Sequence, residues 1–350
     1  MTAFDVIVVG AGPAGAATAT TAARAGLGTV LVERSGAARS WAGESLPPGM
    51  DRPLRTVFGP AVLSEAHHAR AMGTRSSWGS AALVETDYLR NPLGEGWLLD
   101  RARLDRDARL AAAAAGATIV RVRGRSSLTR DGAGWRLETD GGETLDAGFV
   151  VDATGRSARV LRSLGIGRTA TDRQVAVIAT VRDTGDAHAG TTIEAVRDGW
   201  WYTTPLPDGR RVIAFLTDAD LWRADDRDWQ ARRAGTLHMA RVAGPTAAAA
   251  RPRAFPAETA TADRIAGDGW LAVGDAAVSF DPLSSQGLAT AVLMGARAGE
   301  ALAARDRAGA IAAWTDAYAM LVAEHADLKR HYVRQEERWP DTPFWRRRRG

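Results

Sequence analysis

A glycine-rich turn close to the N-terminus restricts this chain to a small number of folds. Residues 4–9 form a short apolar run rich in β-branched side chains, which predicts a buried strand. Gly10, Gly12 and Gly15 follow in the spacing G-x-G-x-x-G, and the alanine-dense segment that begins at Pro13 and Ala14 predicts a helix. A strand, this turn and a helix together predict an α/β domain that binds a dinucleotide.

Each glycine of the turn has a separate expected role. Gly10 allows the tight turn, Gly12 lets backbone N–H groups approach a pyrophosphate, and Gly15 lets the helix pack closely on the strand. Glu33 and Arg34 follow the second predicted strand. An acid there accepts hydrogen bonds from a ribose 2′-hydroxyl, so we expect both residues to lie at the cofactor. The alternative is a chance glycine pattern in an alanine-rich helix, which the agreement of strand, spacing and acid disfavours.

Two downstream segments carry small residues directly after predicted strands. Asp152 and Gly155 close the strand that begins at Phe149, and Gly274 and Asp275 follow another strand. Ligands bind at the carboxyl ends of strands in doubly wound sheets, so we expect these residues to border one ligand. Asp275 is placed to accept hydrogen bonds from ribityl hydroxyls. An ordinary β-turn is the alternative for the first segment.

These segments favour FAD over NAD as the dinucleotide. The glycine-rich turn opens the chain, no second G-x-G-x-x-G follows, and the downstream segments have no role in a simple NAD site. Arg101 opens a predicted helix and can reach the phosphates or the ribityl chain. A surface position is the alternative for Arg101.

The segment Asp281-Pro282-Leu283-Ser284-Ser285-Gln286-Gly287 leads into a predicted helix. Backbone N–H groups at Gly287 and Leu288 can stabilise negative charge on the pyrimidine edge of a reduced flavin. Small residues before them would let a substrate lie against the flavin, so Pro282, Ser284 and Ser285 are candidate catalytic residues. A simple helix cap with a turn is the alternative.

Composition excludes several other classes of protein. The chain has no cysteine, so a thiol nucleophile, a disulfide and a cysteine-ligated cluster are impossible, and no metal-ligand spacing occurs. A net charge of +4 on 350 residues does not argue for nucleic acid. No stretch is long and apolar enough for a membrane span, and the N-terminus enters a strand without a signal peptide, so we expect a cytoplasmic protein. We expect the tail Arg346-Arg347-Arg348-Arg349 to be a solvated end, with contact to an acidic partner as the alternative.

The order of predicted elements indicates two interleaved modules in an α/β fold. A Rossmann-type FAD domain, of the glutathione-reductase-like kind, alternates with a substrate domain built on an antiparallel sheet. The segment from Trp222 to Arg241 predicts one helix within the second module. We expect the following division: FAD domain 1–75, 100–170 and 262–310; substrate domain 76–99 and 171–261; C-terminal helix and basic tail 311–350.

The glycine motifs together resemble the FAD-dependent monooxygenases related to para-hydroxybenzoate hydroxylase, over the chain to about residue 330. The resemblance implies that reduced flavin meets dioxygen to form a flavin hydroperoxide, which hydroxylates an electron-rich ring. It also implies NAD(P)H or a partner flavin reductase as the electron source.

A narrower likeness links the chain to the halogenase-like branch of these enzymes. It is carried by Gly43-Glu44-Ser45-Leu46-Pro47-Pro48, Gly96-Trp97-Leu98-Leu99-Asp100-Arg101, Gly199-Trp200-Trp201-Tyr202 and the segment 281–287. These segments are most similar to the flavoproteins that oxygenate a peptidyl tryptophan in quinone-cofactor enzymes. The likeness implies that Glu44 and Ser45 contact the cofactor and that the substrate is an aromatic small molecule, a peptide or a carrier-bound group.

Two departures disfavour halogenation. Tryptophan halogenases use a lysine to carry the activated halogen, whereas Lys329 is the only lysine of this chain. They also carry a Glu-Ser pair where this chain has Ser284-Ser285.

Trp200, Trp201 and Tyr202 lie on a predicted strand of the second module and are candidate walls of an aromatic pocket. Core packing is the equal alternative for the two tryptophans. Two other functions remain open: a FAD-dependent reductase like the geranylgeranyl reductases, and a non-catalytic flavoprotein that binds a partner.

Overall fold

Two large sheets carry the architecture in the computed structural model, which describes residues 2–34, 44–124, 126–132, 134–224 and 228–349. The strands are β1 Thr2–Val9, β2 Thr29–Arg34, β3 Ser45–Leu46, β4 Ala69–Ala71, β5 Gly73–Ser77, β6 Val84–Asp87, β7 Gly96–Leu98, β8 Thr118–Val122, β9 Ser127–Asp131, β10 Gly134–Glu138, β11 Thr144–Asp152, β12 Arg168–Ala170, β13 Gln174–Arg182, β14 Gly190–Val196, β15 Gly199–Pro205, β16 Arg210–Asp218, β17 Arg253–Pro256, β18 Ala260–Ala262, β19 Ala266–Gly267, β20 Trp270–Ala272 and β21 Val278–Ser279. The helices are α1 Pro13–Arg24, α2 Arg52–Phe58, α3 Arg101–Ala114, α4 Arg159–Ser163, α5 Ala219–Ala224, α6 Trp229–Ala234, α7 Met239–Val242, α8 Gly287–Ala303, α9 Arg307–Gln335 and α10 Pro343–Arg349.

The first sheet is the predicted dinucleotide-binding sheet. Its strands run in the order β19-β20-β11-β1-β2-β8, and the five from β20 to β8 are parallel. Val8 and Val151 at its centre are fully buried, as expected for strands covered on both faces. Helix α1 packs against α8, where the Thr18 hydroxyl donates to the Gly295 carbonyl at 2.9 Å.

The second sheet is largely antiparallel and belongs to the other module. Its seven strands run in the order β17-β13-β16-β15-β14-β5-β6, and only the pair β14 and β5 is parallel among them. Its strands come from residues 73–87 and 174–256, whereas those of the first sheet come from residues 2–34, 118–152 and 266–272. The predicted interleaving of a Rossmann-type domain with an antiparallel sheet is therefore confirmed, and the exact domain boundaries stay a prediction.

The C-terminal segment packs onto the second sheet, and the expectation of a solvated arginine tail was wrong. Arg347 contacts Asp220 at 2.7 Å and Asp218 at 2.8 Å, and Arg348 contacts Asp218 at 2.6 Å. Trp345 is buried and donates from Nε1 to the Val196 carbonyl at 2.9 Å. Arg347 and Arg348 therefore neutralise acids of their own chain. No helix among the described residues combines the length and apolar character needed to cross a bilayer.

Trp345→Ala is expected to lower the free energy of unfolding by about 3–5 kcal/mol, because it empties a buried site beside Trp78, whose ring centroid is 5.3 Å away. Urea unfolding measures the change. Arg346→Ala is the control, because Arg346 is exposed on the same helix and its loss should cost less than about 0.5 kcal/mol. Equal effects of the two substitutions would contradict the packing described.

Candidate active site

The three predicted motifs meet at the carboxyl edge of the parallel sheet. In the strand register Val9 lies opposite Asp152, and Asp152 lies opposite Ala272. The Ala153 N–H donates to the Val9 carbonyl, and the Val273 N–H donates to the Asp152 carbonyl, both at 2.9 Å. The turns that follow β1, β11 and β20 are therefore neighbours, although they are far apart in the sequence.

Two helices begin beside this edge with the features of an anion site. Neither α1 nor α8 has a side-chain cap or an acidic residue in its first turn. A Cβ added to Gly12 or to Gly287 would have no atom within 4 Å, so open space faces both glycines. Uncapped N–H groups next to open space suit the phosphates of a dinucleotide and a flavin edge that becomes negative. Pro13, Ala14 and Leu288 lie in these first helical turns.

Gly15 and Gly10 serve close packing. A Cβ on Gly15 would lie 1.9 Å from the Gly10 carbonyl oxygen, and Gly10 has a φ of +112°, which disfavours other residues.

Glu33 lies at the end of β2 and is already paired with two arginines. Its Oε1 is 3.1 Å from Arg109 Nε and its Oε2 is 3.1 Å from Arg121 Nε. The pairs orient the carboxylate while leaving lone pairs for a ribose hydroxyl. Arg34 follows it and is exposed.

The carboxylate of Asp152 holds its own turn together. It is fully buried and accepts from the N–H and hydroxyl of Thr154 and from the Leu161 N–H. Gly155 follows with a φ of +64° and open space where a Cβ would be. The part of this turn left for a ligand is therefore the backbone at Gly155.

Asp275 offers a half-exposed carboxylate next to the turn after β20. Its Oδ2 lies 3.5 Å from Arg156 Nε, and its backbone carbonyl accepts from Arg168 at 2.9 Å. Tyr318 of α9 accepts a hydrogen bond from the Gly274 N–H at 3.0 Å. The two backbone contacts fix the turn, and the Asp275 side chain, although it lies near Arg156, stays 45% exposed.

The turn Pro282–Ser284 is held by a buried ion cluster. Asp281 accepts from the Leu283 N–H at 2.9 Å, and its other oxygen lies 3.1 Å from Lys329 Nζ. Lys329 also contacts Asp172 of the second module at 2.6 Å. Ser285 ends the turn in the left-handed conformation, and the side chain of Ser284 lies outside what the structure describes.

Glu44 lies where the two modules meet. It is buried, its carbonyl accepts from the Leu99 N–H at 2.7 Å, and its Oε2 lies 3.4 Å from the hydroxyl of Tyr202. Burial raises the pKa of Glu44, and the nearby charge of Arg101 opposes the rise. Burial and Glu44 together raise the pKa of Tyr202 well above its usual range. Ser45 follows in β3, and Gly43 lies outside the described residues.

Trp200 and Trp201 point to opposite faces of the second sheet. Trp200 shares a cluster with Tyr202 and with Leu283 of the turn before α8. Trp201 is fully buried on the other face, stacked on Phe215 with ring centroids 4.7 Å apart. The structure therefore brings Trp200, but not Trp201, to the side where Glu44 and the turn lie.

Glu44→Gln is expected to raise the free energy of unfolding at neutral pH by on the order of 1 kcal/mol, because it removes a buried charge. The folded state binds the Glu44 proton more tightly than the unfolded state does, because the pKa of Glu44 is raised above its ordinary value of 4.5 on folding. Wild-type stability should therefore fall relative to the variant as pH rises above this value, and the difference should vanish below it. Urea unfolding at several pH values, at one saturating FAD concentration, measures this. A difference that grows in acid would contradict it.

Asp281, Lys329 and Tyr318 were absent from the residues predicted for the site. Tyr202 was predicted as a pocket wall with the two tryptophans, and the alternation of strand side chains could have placed it with Trp200 rather than with Trp201. Lys329 and Tyr318 carry no local signal, because each acts through a partner more than 40 positions away.

Comparisons with known proteins agree with this geometry. The chain is 28% identical to LodB, a FAD-dependent oxidoreductase of Marinomonas mediterranea, over 99% of this chain and 97% of LodB. It is 28% identical to digeranylgeranylglycerophospholipid reductase 1 of Methanopyrus kandleri, over 85% of this chain and 80% of the reductase. The solved structure of QhpG, a peptidyl tryptophan dihydroxylase essential for tryptophylquinone cofactor biogenesis, matches 100% of this chain and 79% of QhpG, with a TM-score of 0.77 and 29% identity. The model of the FAD binding domain family matches residues 3–327, so this chain belongs to that family and is a FAD-dependent oxidoreductase.

Proposed function

We propose that this protein is a monooxygenase that hydroxylates an electron-rich aromatic ring, with the indole of a tryptophan in a peptide or protein as its substrate class. The observation that carries the proposal is the aromatic sheet face of Trp200 and Tyr202, which reaches the turn before α8 through Leu283. Trp200 is 3% exposed and supports the face from below, whereas Tyr202 is half-buried and would present ring area to an indole beside the expected flavin position. The likeness to QhpG over the whole chain supports the same chemistry.

The residues around this junction suit FAD and an aromatic substrate. The backbone at Gly12, Gly155 and Gly287 would face the cofactor, with Arg101 and Asp275 as its polar side-chain contacts. When bound and reduced, FAD activates dioxygen and supplies the electrons that insert one oxygen atom into a substrate. The chain must then exclude water and place the ring close to the reacting oxygen. The buried cluster around Trp200 and the pinned turn Pro282–Ser284 would serve both purposes.

Electrons would come from NAD(P)H directly or through a partner flavin reductase. The chain carries a single G-x-G-x-x-G turn, so a separate nicotinamide domain is not part of the proposal. Stopped-flow reduction of the bound flavin by NADH, NADPH or a reductase distinguishes these sources.

Two alternatives make different use of the same fold. A halogenase needs a free lysine near the substrate, whereas the single lysine of this chain contacts Asp172 and Asp281. A reductase that saturates isoprenoid double bonds is favoured by the similarity to the archaeal reductase. It would turn over without dioxygen.

The test follows the fate of isotopically labelled dioxygen. The reduced holoprotein is mixed with labelled dioxygen and with indole, free tryptophan or tryptophan-containing peptides, and the products are analysed by mass spectrometry. We expect one labelled oxygen atom in the ring per hydroxylation, with peptides preferred over free tryptophan. Anaerobic saturation of an isoprenoid lipid, or oxygen uptake with no label in any aromatic probe, would overturn the proposal. A redox-silent flavin that binds peptide tightly would indicate a non-catalytic partner instead.

A further inference from the structure

Glu44 carries a buried polar atom without a partner. Glu44 is 3% exposed, and its Oε2 lies 3.4 Å from the Tyr202 hydroxyl. Its Oε1 is buried and has no hydrogen-bond partner among the described residues. A buried carboxylate oxygen without a hydrogen bond costs stability. Its presence where the two modules meet therefore indicates that a ligand supplies the missing hydrogen bond.

The position of Glu44 directs it towards the substrate module. Its backbone is fixed next to β3 by the Leu99 N–H, and its carboxylate reaches β15, which carries Tyr202. Tyr202 lies on the same sheet face as Trp200, with ring centroids 6.1 Å apart. The unpaired oxygen therefore belongs to a group of side chains that includes the proposed aromatic wall.

We propose that Glu44 is a catalytic residue that accepts the ring N–H proton of the aromatic substrate, and that Tyr202 is the positioning residue that orients its carboxylate. The inference rests on the proposed function and reassigns Glu44 from the cofactor contacts predicted for it. A carboxylate bonded to an indole N–H increases the electron density of the ring at the carbon to be oxygenated. Burial raises the pKa of Glu44, and the nearby positive charge of Arg101 opposes this rise.

The proposed step balances as follows. A C–O bond forms at the ring carbon and the O–O bond of activated dioxygen breaks, with reduced FAD as the two-electron donor and the second oxygen atom leaving as water. The N–H proton passes to Glu44 as the ring becomes electron-poor. The proton lost from the oxygenated carbon restores the aromatic ring and passes to the departing oxygen, which completes the water, and the nitrogen recovers a proton from Glu44.

The test compares Glu44→Gln and Tyr202→Phe with wild type on a tryptophan peptide and on the same peptide with an N-methylated indole. Glu44→Gln keeps a hydrogen-bond acceptor but cannot take a proton. We expect FAD affinity to change less than about twofold, and hydroxylated product per dioxygen consumed to fall about a hundredfold or more. Tyr202→Phe should lower the same ratio by about tenfold, as expected for one lost hydrogen bond. With the N-methylated peptide, wild type and Glu44→Gln should give equally low ratios of hydroxylated product to dioxygen consumed.

Each outcome decides between roles. Glu65→Gln is the matched control, because Glu65 is an exposed surface glutamate paired with Arg70 and should leave all values unchanged. Loss of FAD affinity in Glu44→Gln with normal coupling would make Glu44 a cofactor contact and overturn the inference. Equal losses on both peptides would indicate a structural role and overturn it too. If the wild type hydroxylates no probe, the proposed function is overturned. If wild type and Glu44→Gln yield the same amount of hydroxylated product per dioxygen consumed, this inference alone is overturned.

Discussion

Lys329→Met is expected to lower the free energy of unfolding by about 3–5 kcal/mol, because it leaves two buried aspartates without their cation. The Lys329 side chain is 15% exposed, and those of Asp172 and Asp281 are 9% and 3% exposed. Burial raises the pKa of Asp172, but the charge and hydrogen bond of Lys329 outweigh it and hold that pKa below 3.8. Urea unfolding at neutral pH measures the loss.

The pH dependence separates this ion cluster from simple packing. In the wild type Asp172 contributes stability above its ordinary pKa of 3.8, and this contribution is lost as pH falls through its lower folded value. In Lys329→Met the Asp172 carboxylate loses the cation that opposes the effect of its burial, so mild acid should bring the variant closer to wild type. Lys329→Arg keeps the charge and should recover part of the loss. A loss in Lys329→Met that is independent of pH would show that the lysine acts through its aliphatic stem alone.

Gly12→Val is expected to weaken FAD binding by about a hundredfold or more, roughly 2.7 kcal/mol, while the apoprotein keeps its stability within about 1 kcal/mol. Gly12 has φ −76° and ψ −178°, which any residue adopts, and its side-chain direction is open. The new side chain would occupy the space that we assign to the pyrophosphate. FAD titration by fluorescence and urea unfolding of the apoprotein give the two values.

Gly15→Ala is the matched control for Gly12→Val, because the two glycines belong to one turn but face different surroundings. A Cβ on Gly15 would lie 1.9 Å from the Gly10 oxygen and 2.8 Å from Ala153 Cβ. The helix must then move away from the strand, so we expect a stability loss of about 1–3 kcal/mol or more in the apoprotein. Normal FAD affinity in Gly12→Val, or a larger stability loss in Gly12→Val than in Gly15→Ala, would contradict this division of roles.

The segment from Trp222 to Arg241 shows where helix propensity misleads. A single helix was predicted, but the structure has α5, α6 and α7 there, with residues 225–227 outside its description. Asp228 caps α6 through the N–H groups of Gln230 and Ala231. Glu194 of β14 caps the start of α7, because its carboxylate accepts hydrogen bonds from three consecutive backbone N–H groups at residues 237–239. A helix cap supplied by a distant strand leaves no local pattern in the sequence. Helix propensity alone therefore predicted one continuous helix.

The basic tail was misjudged for a similar reason. Four consecutive arginines are usually solvated, and the acids near them in the sequence are not the ones that Arg347 and Arg348 contact. Asp218 and Asp220, which pair with Arg347, lie at the end of β16 and the start of α5. Only the docking of Phe344 and Trp345 into the aromatic cluster brings the two groups together.

The amino-acid sequence alone determined the strand–turn–helix unit, the cofactor class and the alternation of two modules. These depend on backbone requirements within a few residues, such as a glycine where a strand turns into a helix, and so they can be recognised locally. Tertiary structure decided which side chains meet. Glu44 and Tyr202 are 158 positions apart, and Lys329 and Asp172 are 157 apart. Contacts over such separations form only when the modules pack, because burial supplies both the proximity and the low dielectric that make a paired charge matter.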